Sequence, residues 1–424
     1  MARKALLPPS VKAGIPQDQP VPPGWSKVTY GDVLDVVERP ATLEDDAEYQ
    51  LVTAKRSRGG IVPRERLLGS QVLTKTQFYI RSGDFLISRR QIIHGACGVV
   101  PDELDGAIVS NEYATLRNRP SLDIEFMSYL SHSIHFQQCC FHSSVGVDVE
   151  KMVFKLDQWL KHSFSLPPLP EQKKIVAILG SLDDAIQAAQ AVIDQTRKVK
   201  KGLLQQLLIR GIGHTRFKQT EVGEIPESWS LAKIGDTFAV TSGGTPSRDR
   251  PEFWGGDIPW VKTGEVAFSV ITDTEEKITA LGLAGSSAKI VPANSVLIAM
   301  YGQGPTRGRV GYLGTEAALN QACLALLPRS DAEMWFVYYF LESQYQNLRN
   351  LSNDGSQKNL SAGLIKDYSI PLPTKAEQVK IAGILGSVDN AIREAKTKLQ
   401  SLQVVKQGLM VDLLSGRIHF EVPA

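Results

Sequence analysis

The chain has 424 residues, a formal net charge of +2, 42% hydrophobic and 22% charged residues. That length implies two or three domains, and the composition excludes wholesale disorder. Near-neutrality excludes binding to nucleic acid by bulk charge alone, so any such surface must come from local patches.

Residues 1–20, rich in Pro and Gln, read as a loose tail. The start "MARKALLPPS" lacks the apolar run of a signal peptide, and no stretch of about 20 apolar residues is seen that would span a membrane. Residues 21–165 form a first globular domain of short apolar-alternating runs, such as "DFLIS" and "CGVVP", split by Gly and Pro. A helical stretch is predicted over 124–140. The loop "TAKRSRGGIVPRER" carries Lys55, Arg56, Arg58, Arg64 and Arg66 around a Gly-Gly turn, and "SRRQIIHG" adds Arg89, Arg90 and His94 at a strand end. Arginine forks of this kind take guanine edges bidentately or grip phosphate.

Residues 166–215 read as a long helix behind a proline stop. Its apolar spacing alternates three and four through Ile175, Leu179, Leu182, Ile186, Ala189, Ile193, Thr196, Lys200, Leu203 and Leu207, the a/d seam of a coiled coil. Residues 216–370 form a second strand-rich domain with a helical stretch over 332–351. Its loop "TSGGTPSRDRPEFWGGDIPWVKTGEV" offers Ser242, Thr245, Ser247, Arg248, Arg250, Lys262 and Thr263. The glycines there would let backbone approach a phosphate. "YGQGPTRGR" adds Gln303, Arg307 and Arg309, and "GSQKNLS" adds Ser356, Gln357, Lys358 and Asn359. Residues 371–424 carry a second long helix whose seam runs Ile381, Leu385, Val388, Ile392, Ala395, Leu399, Leu402, Lys406, Leu409 and Leu413.

The two helices are copies of one another. Residues 171–210 align with 377–416 without gaps, with roughly 45% identity over five heptads. Lys200 and Lys406 occupy the same seam position. Such a cation either reaches the rim of the seam along its apolar stem or fixes helix register. The repeat extends weakly into the domains: Trp25 matches Trp229, Gly31-Asp32 matches Gly235-Asp236, "SGDFLISRR" matches "PANSVLIAMYG", and "VSNEYATL" matches "LNQACLAL". The fold class is therefore α+β, with two repeated domains separated by two long helices.

No catalytic centre is expected. There is no phosphate-binding G-x-x-x-x-G-K-[ST], no methyltransferase-like "NPPY" or "DPPY", no G-x-S-x-G and no H-E-x-x-H. The half-motif Glu275-x-Lys277 has no Pro-Asp partner and reads as surface. The seven histidines do not cluster at metal-ligand spacing. The four cysteines have no C-x-x-C spacing, and read as free thiols in a reducing cytosol.

"PLPEQKKIVAILGSLDDAI", its second copy "IPLPTKAEQVKIAGILGSVDNAI", the "IPESW" segment and the "SGGTPSR…FWGGDIPWVKTGEV" loop together resemble the specificity subunit of type I restriction-modification systems. The resemblance spans nearly the whole chain. It implies two target-recognition domains that each read one half of a split site in double-stranded DNA. It implies helical spacers paired as an antiparallel coiled coil, on which two methyltransferase subunits dock and restriction-translocase subunits join. S-adenosylmethionine, ATP and Mg would then sit on the partners, with no cofactor or metal in this chain, and the setting would be cytoplasmic. A scaffold that binds only proteins remains the alternative. The second copy departs from "PLPEQ" by a short insertion at the start of its helix.

Overall fold

Short apolar runs cut by glycine and proline cannot sustain helices, and in the computed structural model they pair as strands. The structure describes residues 11–16, 20–302, 304–351 and 360–420. The chain forms two units: residues 1–188 with 398–424, and residues 189–397. Each unit thus combines one globular domain with the first half of one long helix and the last half of the other.

In the first unit a four-stranded sheet runs in the order Leu34–Val36, Tyr113–Asn118, Phe85–Ser88, Cys97–Val99. Beside it lies a five-stranded sheet in the order Pro40–Ala41, Gln77–Tyr79, Ile108–Ser110, Glu48–Ala54, Ile61–Leu68. In the second unit the order is Val240–Ser242, Cys323–Leu326, Val296–Ala299, Val310–Leu313, Val270–Ile271. Its companion sheet runs Glu276–Ile278, Trp254–Val261, Ala317–Leu319, Ile290–Val291. The shared scaffold is visible strand by strand. Phe85 pairs with Leu116 as Val296 pairs with Leu326. The parallel contact of Leu51 with Ile108 recurs as Trp260 with Ala318. The first of these pairs joins the segments whose sequences repeat.

The helical stretch expected over 124–140 is two helices, Ile124–Leu130 and Ile134–His142. Ser133 interrupts it, because its hydroxyl accepts from Phe136 N (3.1 Å) and starts a new helix. The stretch expected over 332–351 is likewise Met334–Ser343 and Tyr345–Asn350. Large buried aromatics fill the first core, where Tyr30 stacks on Trp159 at 4.1 Å. In the second core Trp229 packs edge-on against Phe336.

The long helices are Leu169–Leu207 and Lys375–Leu414. Thirty-nine residues at 1.5 Å rise make the first about 58 Å long. It begins one residue before Pro170, whose missing N–H costs nothing in a first turn. Every seam position in both helices is buried or half-buried. The segments run antiparallel within each unit. In the first, Ile175 and Leu179 share a core with Leu413 and Leu409; in the second, Ile381 and Leu385 share one with Leu207 and Leu203. By length and composition the first helix is apolar enough to cross a bilayer (mean hydropathy 1.3 over 18 residues), contrary to expectation. The seam and its flanking alanines raise that mean, and one such helix is weak evidence for a span.

The repeated Glu-Gln at each helix start ties helix to domain. Glu171 accepts from the Trp25 indole (3.1 Å), and Glu377 accepts from the Trp229 indole (3.0 Å). The buried amide of Gln172 accepts from Asp123 N (2.7 Å), and that of Gln378 accepts from Glu333 N (2.8 Å). Thr374 O receives both Glu377 N and Gln378 N, as Pro168 O receives Glu171 N and Gln172 N. The insertion therefore leaves the second helix start unchanged. Past the helix ends, Gly211 (φ +66°) and Gly416 (φ +69°) turn left-handed. A Cβ on Gly211 would lie 2.6 Å from Trp229, so only glycine fits against that indole.

The seam lysines are largely buried and meet carboxylates. Lys200 Nζ lies 3.0 Å from Glu342 and 2.9 Å from Asp389, and 5.3 Å from the Tyr339 ring centroid. Lys406 Nζ bonds Asp183 and lies 5.5 Å from the Tyr129 ring. Each tyrosine donates to the same aspartate, Tyr339 to Asp389 (2.9 Å) and Tyr129 to Asp183 (2.8 Å). Three residues past the tyrosine the units differ. Glu342 in one is His132 in the other, and burial together with Arg58 and Lys406 pushes that imidazole down to about 4. Among the described residues the first lysine therefore pairs with two carboxylates and the second with one.

Candidate nucleic-acid interface

In each unit the strand of the companion sheet that pairs in parallel is followed by a lysine and then a tight turn. Lys55 precedes the turn Arg56–Arg58, and Lys262 precedes the turn Thr263–Glu265. Both turns lie at the sheet end that carries the hairpin turns 110–112 and 320–322. Asn320 N donates to Val261 O (3.0 Å), and Leu51 pairs with Ile108.

In the second unit, Thr245 donates to Gln321 Oε1, and Thr263 donates to Asn320 Oδ1 (3.5 Å). Arg248 lies 3.7 Å above the Trp254 ring and pairs with Glu276 (2.7 Å). Lys262 pairs with Glu275 (2.6 Å), and that bond raises its pKa. The Arg248 hydrogen bond holds the Glu276 carboxyl below its ordinary range. Ser242 is exposed at a strand end, and the Ser247 hydroxyl accepts from Asp249 N (3.3 Å).

The Gly243–Gly244 pair serves the protein's own packing. A Cβ on Gly243 would sit 1.8 Å from Leu319 O, and one on Gly244 would sit 2.2 Å from Ser287 Oγ. That closes Gly243 and Gly244 to a phosphate, whereas a Cβ on Gly255 or Gly264 of the same loop would meet nothing within 4 Å.

Arg307 donates to Arg349 O (3.3 Å), and Arg309 lies 5.9 Å from the Phe268 ring. The Nε of each is buried without a hydrogen-bond partner among the described residues. Gln303, Gln357 and Lys358, and with them Ser356 and Asn359, lie outside the described residues.

In the first unit Lys55 is exposed, and Arg56 reaches Gln91 (2.8 Å) and Glu150 (2.8 Å). Arg64 pairs with its neighbour Glu65 (2.7 Å), and Arg90 pairs with Glu112 (2.8 Å). Arg89 is half-buried and donates to Tyr113 O (3.4 Å). Arg58 contradicts its expected role. Both Ser57 and Arg58 have positive φ, and the chain reversal turns the guanidinium inward. There Nε donates to Ser131 O (2.7 Å), and burial lowers its pKa. It is a structural arginine.

Most of the exposed basic candidates are thus neutralised by a neighbouring carboxylate. Exposed pairs of this kind hold by about 0–1 kcal/mol and are readily exchanged for a phosphate. Sequence reasoning missed those carboxylates, and it missed the amides of Asn111, Asn320 and Gln321. The aligned "VSNEYATL" and "LNQACLAL" contained the signal.

No group of three or more His, Cys, Asp or Glu is placed to hold a metal among the described residues. All four cysteines are buried and unpaired, and burial raises the thiols of Cys97 and Cys323 to about 11 and 12.

Residues 22–195 and 226–404 match the family model described as the type I restriction modification DNA specificity domain. The chain is 25% identical over 421 residues to the type I restriction enzyme MjaVIII specificity subunit of Methanocaldococcus jannaschii, covering 94% of each chain. It is 29% identical over 199 residues to the MjaIX specificity subunit of the same organism, a match that spans 45% of either chain. The EcoR124I/EcoR124II specificity subunit of Escherichia coli is 27% identical over 57% of this chain and 58% of its own length. In fold, the chain resembles a subunit from a study of type I restriction-modification complex assembly (TM-score 0.60, 20% identity, 95% and 100% coverage). It also resembles the S subunit from M. genitalium (TM-score 0.56, 14% identity, 94% and 97% coverage).

Proposed function

From the premise that this chain belongs to the type I restriction-modification DNA specificity family, we propose that each unit reads one half of a bipartite DNA site. The observation that carries this reading is duplication without identity. The same turns occupy the same end of the same sheet in both units, and their side chains differ. A duplicated scaffold with unlike loops suits an asymmetric two-part site.

Lys55, Arg56, Arg64 and Arg89 would serve the first half-site. Ser242, Thr245, Ser247, Arg248, Lys262 and Thr263 would serve the second. A wrong base pair in such a site costs about 1–3 kcal/mol, so two half-sites multiply discrimination. The long helices would act as the spacer and as the dock for methyltransferase and restriction subunits. Off-seam apolar side chains support a protein dock there: Val192, Val199, Val404 and Val405 are between 46% and 70% exposed. Reaction chemistry, with S-adenosylmethionine, ATP and Mg, would belong to those partners, in the cytoplasm with the host DNA.

The test is duplex binding by the full chain assembled with its host partners, measured across a salt series. A specific site should bind with an affinity that falls steeply as salt rises. A flat response with every duplex would leave the protein-only scaffold as the better reading.

A further inference from the structure

We infer that Asn111 and Gln321 are specificity-determining residues that each recognise an adenine through its major-groove edge, an inference that rests on the DNA reading above.

Turn 110–112 joins strand Ile108–Ser110 to Tyr113–Asn118, and turn 320–322 joins Ala317–Leu319 to Cys323–Leu326. The two turns are built alike. Ser110 Oγ accepts from Glu112 N (3.4 Å), and Asn320 Oδ1 accepts from Ala322 N (2.6 Å). The side chain of the first turn position is thus spent on the turn itself. The next residue stands at the tip, and in both units it is exposed.

Around the tips chemistry diverges: Ser110 corresponds in the repeat to Asn320, and Glu112 to Ala322. At the tips it does not. Both residues carry a carboxamide, with one donor and one acceptor in a plane. Adenine presents the complementary pair, N7 and N6, in the major groove.

Each tip also stands among cations suited to the flanking phosphates. Arg90 pairs with Glu112 beside Asn111. Near Gln321, the loop that supplies Thr245 also supplies Arg248, and Lys262 precedes Thr263, which bonds Asn320. Gln321 Oε1 takes the Thr245 hydroxyl, which fixes the amide plane while leaving its N–H groups and one lone pair open. No hydrogen bond engages the Asn111 carboxamide among the described residues, so it is free to turn to a base.

The experiment selects bound duplexes from a randomised pool with the full chain, co-purified with the host subunits it assembles with. Gln321→Ala should lower the preference for adenine at one position of one half-site by between about 5- and 100-fold, leaving all other positions as in wild type. Asn111→Ala should do the same in the other half-site. Gln321→Glu, which only accepts, should shift that position toward cytosine, whose N4 donates. The Glu variant also serves if the Ala variant melts early. Wild-type profiles from the Ala variants, or an even loss of affinity across all sequences, would overturn the inference. A wild-type protein that enriches no sequence would instead overturn the DNA reading itself.

Discussion

Replacing Lys200 with methionine should loosen the second unit at one defined place. The lysine ammonium is held 3.0 Å from Glu342 and 2.9 Å from Asp389, with 15%, 18% and 27% of the three side chains exposed. Methionine keeps the stem and removes the charge, leaving two carboxylates facing each other with little water. Breaking a buried pair this way costs about 3–5 kcal/mol. The residual exposure here argues for the lower end, about 3 kcal/mol, or roughly a hundredfold in local opening. Hydrogen exchange of the Met334–Ser343 amides reads that change directly.

The pH dependence supplies a second check on the same variant. Burial holds the Glu342 carboxyl above its ordinary value, and Lys200 pulls it back. A carboxyl whose folded pKa is raised contributes stability below its unfolded pKa and loses that contribution as pH rises through the folded one. Removing Lys200 raises it further, so the deficit should be largest near neutrality and shrink below the ordinary carboxylate range. Unchanged exchange in Lys200→Met, or a deficit that does not vary with pH, would refute the assignment of the lysine to a buried charge cluster. Lys406→Met should act on Ile124–Leu130 instead, because it pairs with Asp183, which Tyr129 of that helix also bonds.

Two further substitutions separate packing from recognition. Gly211→Ala should destabilise the second unit by about 2 kcal/mol, from left-handed strain and overpacking against Trp229, and a calorimetric scan reads it as a lower transition temperature. Arg58→Ala should lower the stability of the first unit by about 1.5–3 kcal/mol, the value of a hydrogen bond from a charged group. Arg56→Ala should leave the melting curve unchanged and weaken binding to the first half-site. Equal melting curves for the two variants would refute the distinction between them.

Much of the architecture was legible in the residues. The a/d spacing of the two helices, their repetition, and the matched strand segments all survive in the structure, because heptad periodicity and β-alternation are local properties. The break at Ser133 was less legible, since a serine in an apolar run also fits a helix interior until its hydroxyl is seen to cap. Among the basic residues, Arg56 and Arg58 stand two apart in one loop and look alike in sequence. Only the positive φ at Ser57 and Arg58 sends one outward and the other to Ser131 O.

The sequence by itself determined the duplicated frame: two α+β domains, two long seamed helices, and a lysine at the same heptad position in each. Such patterns are written into residue spacing and need no partner to be read. Tertiary structure alone decided what those lysines and the loop residues touch. Lys200 meets Glu342 from 142 positions away and Lys406 meets Asp183 from 223 away. Gly243 serves Leu319 and no phosphate, and Asn111 and Gln321 come to stand at matching tips. Long-range packing sets the partner of a charge, the neighbour of a glycine and the face of a turn, and none of these follows from local periodicity.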